Sequence, residues 1–543
     1  MLQRIMLFLF SFLAAGNVTY SQSISRPKLV VGIVVDQMRW DFLYRYYDRY
    51  AENGGFKRMM NQGFSCENTL IPYTPTVTGC GHASLYTGSV PAINGITGNA
   101  WWDKLANQTV YCTEDSTVHS VGGPNSEAGQ QSPRNLLVTT ICDELRLATN
   151  FRSKVIGIAI KDRGGILAAG HSANAAYWYN AATGEWITSS YYMNDLPQWV
   201  KSFNAKKLVD KYYEKGWNTL YPLTTYKQSS DDKKTYEGNS LGGNSFPYTL
   251  KQFIGKNYNS INVTPYGNSF TCDLAKEAIT AEGLGSDNIT DFLAVSFSTP
   301  DYIGHTFGPN SVEQEDDFLR LDKDLGDLLN FLDTKMGKGQ YLVFLSADHG
   351  VAHIPGYLKE NKIPAGLAPL SAASIELNGL LKQRFGLDNI VVAGHNYQVH
   401  LNHSAINNAK IDEGAIKKYI IDYFSKQPYI ARVFEVDKLT ETTLNSKVKE
   451  MLANGYYPKR SGDIQIILQP QWIESYGSGT GTTHGLWNPY DSHIPLLWYG
   501  WGIKPGKTHR ETYMTDVAPT LAALLKIQMP SGSVGNVIGE IVK

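Results

Sequence analysis

Residues 27–36 form a nearly unbroken apolar run that closes on Asp36, the pattern of a parallel strand buried on both faces. Two later runs repeat it. Residues 289–301 pass through Phe292, Leu293 and Val295 to Asp301, and residues 339–349 pass from Tyr341 through Leu345 to Asp348 and His349. A fourth run, residues 154–161, ends on Lys161. Helical patterns lie between, notably over 312–335, where Phe318, Leu321, Leu325, Leu328, Leu329 and Phe331 recur at helical spacing. This alternation predicts an α/β fold with a mostly parallel central sheet flanked by helices. Such sheets bind ligands at the carboxyl ends of their strands, where the acidic and imidazole residues stand.

Two tracts break the alternation. Residues 177–284 are rich in Tyr, Trp, Asn, Gly and Lys with no clear helical period, whereas 371–470 carry a strand pattern at 389–393 and a helical one at 414–424. Both read as insertions capping the active end of the sheet. The predicted organisation is a leader at 1–22, a catalytic core in three pieces (23–176, 285–370 and 471–543), and insertions at 177–284 and 371–470. In the leader, Arg4 precedes an apolar run over 5–16 and a polar stretch to 25, which is a signal-peptide pattern and too short for a typical spanning helix. The expected destination is the periplasm or the exterior, with no stable membrane association.

Composition narrows the function classes. A chain of 543 residues with 42% hydrophobic and 12% aromatic residues can bury a large core and is not a disordered one. Its 49 Lys+Arg against 50 Asp+Glu leave a net charge of −1, which argues against nucleic acid as a partner. The five cysteines (Cys66, Cys80, Cys112, Cys142 and Cys272) match no Cys-x-x-Cys metal site. An oxidising compartment would allow one or two disulfides, and the odd count leaves at least one thiol outside them.

The candidate chemistry is a set. Asp36, the pair Asp301 and His305 four residues apart, the pair Asp348-His349, and His484 in the glycine-flanked loop 479–485 supply carboxylates and imidazoles from separate strand ends and loops. These are the ligands of a catalytic divalent metal. Six are too many for one tetrahedral zinc with an open position, but they suit two metals of three ligands each, the clamp used in phosphoryl displacement. Alone, a strand-end Asp is usually a helix cap and Asp-His-Gly a polar turn; the conjunction is what points to metal. A nucleophile is also needed, and Thr74, Thr76 and Thr78 precede a small-residue stretch able to start a helix, whose amides favour an anion. Spacing does not choose among the three.

Taken in order, Asp36, Thr78-Gly79, Asp301-x-x-x-His305, Asp348-His349-Gly350 and Thr483-His484-Gly485 resemble the alkaline phosphatase superfamily, and most closely its PafA-type, phosphate-irrepressible periplasmic alkaline phosphatases. The resemblance spans essentially the whole chain after the leader, including 493–496 and 516–522. It implies that Thr78 is a nucleophile passing through a covalent phosphothreonine. It further implies that Asp301, His305 and His484 bind one Zn2+, while Asp36, Asp348 and His349 bind a second that also holds the Thr78 oxygen. Asn99 is implied to contact a phosphoryl oxygen, and Lys161 and Arg163 to mark the monoesterase branch. A monoester dianion spreads charge over three outer oxygens, so added cations help it more than they help a diester.

The expected protein is thus a broad-specificity, zinc-dependent phosphomonoesterase acting on small-molecule phosphate monoesters as a monomer. Residues 79–82 lack the Pro-Asn-His of nucleotide pyrophosphatases, and no sulfatase Cys/Ser-x-Pro-x-Arg motif is present. The alternatives are a phosphodiesterase or nucleotide pyrophosphatase with the same metal core and, more remotely, a non-catalytic secreted binding protein. His82, His171, His353 and His493 are expected to be hydrogen-bonded structural histidines.

Overall fold

A computed structural model describes residues 25–475 and 479–542, so the leader at 1–22 lies outside the described residues. The apolar runs become strands because each is buried on both faces. The central sheet has ten: β1 (Leu29–Val35), β2 (Phe64–Cys66), β3 (Ser120–Val121), β4 (Val155–Ala159), β5 (Ala175–Asn180), β6 (Glu185–Ser189), β7 (Asp291–Phe297), β8 (Tyr341–Ser346), β9 (Leu496–Gly500) and β10 (Gly506–Thr508). Their order is β10-β2-β9-β8-β1-β7-β4-β5-β6-β3. The middle five, β8 to β5, are parallel neighbours, and β9 and β6 run antiparallel on either side.

Five helices matter to the site: α1 (Thr78–Thr87), α2 (Asp162–Ala169), α3 (Tyr266–Glu282), α4 (Thr299–Phe307) and α5 (Val312–Met336). All seven residues of β1 are buried. Burying its Leu, Val and Ile side chains contributes about 1.5–3 kcal/mol each. Together they offset the several kcal/mol that burial of the adjoining Asp36 carboxylate costs.

Residues 177–284 open inside the sheet, on β5 and β6, and close on the 17-residue α3, for which the hydrophobic pattern showed no period. Its buried face is Phe270, Leu274 and Ala278 with Cys272, Ala275 and Ile279. The helical spacing is present but diluted by Gly267, Asn268, Thr271 and Asp273. Residues 370–468 build a second, smaller sheet in the order Val391–His395, Gln398–Leu401, Ile464–Leu468, Ile430–Glu435, backed by helices Leu370–Phe385 and Glu413–Phe424. Its apolar core, including Leu377, Leu381, Ile416, Ile420 and Ile464, is separate from that of the main sheet. The expected disulfides are absent: all five cysteines are buried free thiols.

Candidate metal centre and active site

Four of the predicted residues follow strands at the carboxyl edge of the sheet. Asp36 follows β1; Lys161 follows β4 and caps α2; Asp348 and His349 follow β8. After β7 the chain turns directly into α4, which carries Asp301 in its first turn and His305 in its last, so the i,i+4 spacing sets both on one helix face. Thr78 is the first residue of α1. That helix lies against the Asp348 turn through Gly81, where a Cβ would sit 2.4 Å from the Asp348 carbonyl oxygen.

The three candidate histidine ligands share one arrangement. His305 Nδ1 lies 2.8 Å from the Thr482 carbonyl, His484 Nδ1 2.7 Å from the Thr76 carbonyl, and His349 Nδ1 3.0 Å from the Gly350 carbonyl. A carbonyl only accepts, so each Nδ1 carries a proton, and each ring in its neutral form presents the Nε2 lone pair. Those lone pairs face carboxylates. His305 Nε2 is 3.2 Å and His484 Nε2 3.5 Å from Asp301 Oδ1, while His349 Nε2 is 3.5 Å from both Asp36 Oδ1 and Asp348 Oδ2. Acceptors crowded against acceptors are unfavourable without a cation. Asp36 Oδ1 and Asp348 Oδ2 are buried and have no hydrogen-bond donor among the described residues. The donor set therefore fits a divalent metal by its own chemistry.

Among the described residues two groups have donor atoms within 4.8 Å of one another: Asp36, Asp348 and His349, and Asp301, His349 and His484. His349 belongs to both, and its ring stacks on that of His484 with centroids 3.6 Å apart. The division expected from the resemblance placed His305, not His349, with Asp301 and His484. His305 does reach Asp301, but the ring lying between the two groups is His349.

Burial pushes His349 down to about 3 and lowers His484, so both are neutral near pH 7. Burial opposes protonation of His305 as well, yet contact with Asp301 holds it above its ordinary value. Asp36 is raised well above the usual carboxylate range by burial and by neighbouring Asp348. Lys161 Nζ sits between the two groups, 2.8 Å from Asp36 Oδ2, 2.5 Å from Asp301 Oδ2 and 3.3 Å from Thr78 Oγ1. Burial works against its charge, but Asp301 and Asp36 more than compensate, and the ammonium is raised above its ordinary value.

The remaining predicted residues frame Thr78. Asn99 Oδ1 accepts a hydrogen bond of 2.8 Å from the Gly79 amide, which leaves its Nδ2 donors for a ligand. Arg163 Nη1 donates to Tyr111 Oη at 2.8 Å, and its Nε is buried without a partner among the described residues. A cleft of about 420 Å³ is lined by Val77, Asn99, His305, Thr482, Thr483 and His484. All ten predicted side chains thus border one region. Sequence reasoning missed Gln37. It is buried, with φ 68°; its backbone amide donates to Asp348 Oδ1 at 3.1 Å and its side-chain amide to Asp301 Oδ1 at 2.6 Å. No residue pattern marks it, since a Gln after a strand carries no signal. His82 links Thr78 O (3.0 Å) to Ser296 Oγ (2.8 Å). His171, His353 and His493 also make hydrogen bonds.

Residues 30–491 match the family described as type I phosphodiesterase / nucleotide pyrophosphatase. The chain belongs to this family, within the alkaline phosphatase superfamily. It is 54% identical over 527 residues to alkaline phosphatase PhoV of Synechococcus elongatus, covering 96% of this chain and 94% of that protein. It is 49% identical over 529 residues to alkaline phosphatase PafA of Elizabethkingia meningoseptica, covering 96% of each. A Myroides odoratus protein named calcium-transporting ATPase is 53% identical over 528 residues, again covering 96% of each. The crystal structure of wild-type PafA superposes with a TM-score of 0.94, covering 96% of this chain and 100% of that one at 49% identity. A PafA variant substituted at one Thr, one Asn, one Lys and one Arg superposes with a TM-score of 0.93 at 48% identity over 96% of this chain and 100% of that one. No described helix of this family member is long and apolar enough to cross a membrane.

Proposed function

We propose that this chain is an exported alkaline phosphatase that hydrolyses small phosphate monoesters through a phosphothreonine on Thr78, using two Zn2+ ions. The observation that carries the reading is the convergence of three Nδ1-anchored histidines and three buried carboxylates beside one threonine hydroxyl. Asp36, Asp348 and His349 would hold one ion, and Asp301, His305 and His484 the other, with His349 close to both. When bound, such ions supply Lewis acidity toward the attacking and leaving oxygens.

The chain's own residues do the rest. Thr78 Oγ1 gives up its proton to solvent and forms the bond to phosphorus as the bond to the ester oxygen breaks and that oxygen takes a proton from solvent; one water then attacks phosphorus, freeing phosphate and leaving its second proton on the Thr78 oxygen. Its place at the start of α1 directs backbone amides toward the transferred anion. Asn99 Nδ2, Lys161 Nζ and Arg163 serve the outer oxygens. Three carboxylates and two divalent cations leave one excess positive charge, which Lys161 and Arg163 raise to three. That surplus suits a dianionic monoester better than a monoanionic diester. The PafA variant's Thr, Asn, Lys and Arg substitutions stand at the intervals that separate Thr78, Asn99, Lys161 and Arg163, which supports treating these four as one functional group.

The test is a rate panel on purified protein: an aryl phosphate, a diaryl phosphate, an aryl sulfate and ATP, each with chelator and with added zinc. ATP is included because one relative bears an ATPase name. The expected result is a strong preference for the monoester, abolished by chelator and restored by zinc. A higher rate on the diester would replace this reading with a phosphodiesterase, and metal-independent turnover would overturn the proposed centre.

A further inference from the structure

Strands Val391–His395 and Gln398–Leu401 of the smaller sheet are joined by two residues, Asn396 and Tyr397, with φ of 57° and 60°. Left-handed values at both positions are those of a type I′ hairpin turn, and they are costly for Tyr. The strained tip reaches the active-site edge of the large sheet at two points. Asn396 Nδ2 donates to the Ala100 carbonyl at 3.1 Å, one residue beyond Asn99. Tyr397 Oη donates to the His484 carbonyl at 3.4 Å. The approach at Asn396 is close: a Cβ on Gly98 would collide with the Asn396 amide and force it to shift. The Asn99 segment is also held from a third direction. Arg460, from the loop before strand Ile464–Leu468, lies over the Trp101 ring with its guanidinium carbon 4.6 Å from the centroid. It also donates to the Asn135 carbonyl at 2.9 Å and to the Gly95 carbonyl.

We infer that the hairpin tip of the smaller sheet, through Asn396, is a positioning element that holds Asn99 toward the phosphoryl group. The inference rests on the reading of Asn99 given above. Among the described residues Asn99 is anchored through its own Oδ1 to Gly79 N and its carbonyl to Cys112 N (2.9 Å). The Asn396 amide fixes the Ala100–Trp101 peptide, one unit beyond the Asn99 carbonyl that Cys112 holds, and so limits movement of the backbone that carries the Asn99 side chain. A strained turn is retained because it presents that donor at the required point.

The experiment is a double-mutant cycle in the zinc-loaded full chain. Asn396→Gly keeps the left-handed backbone accessible while removing the amide, and Asn396→Asp keeps a side chain of similar size while removing the donor. Loss of one such hydrogen bond predicts a fall of about 3- to 10-fold in kcat/KM for an aryl phosphate, with metal content and Tm unchanged. In an Asn99→Ala background either substitution is expected to change kcat/KM by less than about twofold, because the group being positioned is gone. A loss of equal size in both backgrounds, or no loss from either substitution in the wild-type background, would overturn the inference and leave the reading of Asn99 intact. No loss from Asn99→Ala itself would instead overturn that reading, and the inference with it.

Discussion

Replacing Lys161 with Met removes a buried positive charge while keeping a flexible side chain of similar length. In the structure its Nζ lies 3.3 Å from Thr78 Oγ1, the atom to which phosphorus would bond. Phosphoryl oxygens there stand about 4 Å from the ammonium, where one pair of unit charges is worth about 4 kcal/mol at an effective dielectric of about 20. A monoester carries one more negative charge than its diester, so it loses up to about 4 kcal/mol more. Water entering the emptied space reduces this toward about 2 kcal/mol. The expected drop in monoester-over-diester preference is therefore between about 30-fold and about 1,000-fold. The assay compares kcat/KM for an aryl phosphate and for its methyl ester, which share a leaving group, with metal content measured on the same samples. A second role is visible, because Lys161 also touches Asp36 and Asp301. If neutralising those carboxylates were its whole contribution, both substrates would fall by the same factor, and the reasoning from substrate charge would be refuted.

Thr78→Ala is expected to lower turnover at least about a thousandfold while metal content stays at the wild-type level; normal turnover would remove Thr78 as nucleophile. Gln37→Gly preserves the φ of 68° but deletes the hydrogen bond to Asp301, and metal affinity in a chelator competition should fall about 10-fold or more; an unchanged competition curve would show that the contact is idle. Asp143 caps helix Ile141–Ala148; burial would raise its carboxyl, but hydrogen bonds from His171, Thr140 and Ser172 hold it at about 2. Its folded value lies below its unfolded one, so its stabilisation is complete above about pH 4 and disappears as the pH falls through about 2. In metal-free protein, wild type should therefore lose about 2 kcal/mol more than Asp143→Asn over that interval, and parallel acid-unfolding curves would contradict this.

The sheet and the gathering of the candidate ligands at one edge were legible because both follow from short-range rules. A continuous apolar run is a doubly buried strand, and polar residues closing such runs stand together at one edge. That rule alone gathers Asp36, Asp301 and Asp348 just beyond the ends of neighbouring strands β1, β7 and β8. What it omits is orientation. That His349 faces both carboxylate groups depends on its Nδ1 bonding Gly350, and Gln37 contributes through a left-handed backbone that no pattern announces. Helix α3 was missed because polar residues interrupt its buried face, and its packing on the core outweighs its weak amphipathicity. The unpaired cysteines are likewise a tertiary result, since an oxidising compartment permits disulfides without placing sulfurs within reach. The contact of Asn396 with the Asn99 segment joins positions 296 residues apart in the chain and could be seen only in the folded structure.

X-ray data collected on active crystals on either side of the zinc absorption edge test the two-ion centre most directly. The account predicts two anomalous peaks per chain, one beside Asp36, Asp348 and His349 and one beside Asp301, His305 and His484, both close to Thr78. Fully active crystals with no peak in this region, or with metal only elsewhere, would contradict it.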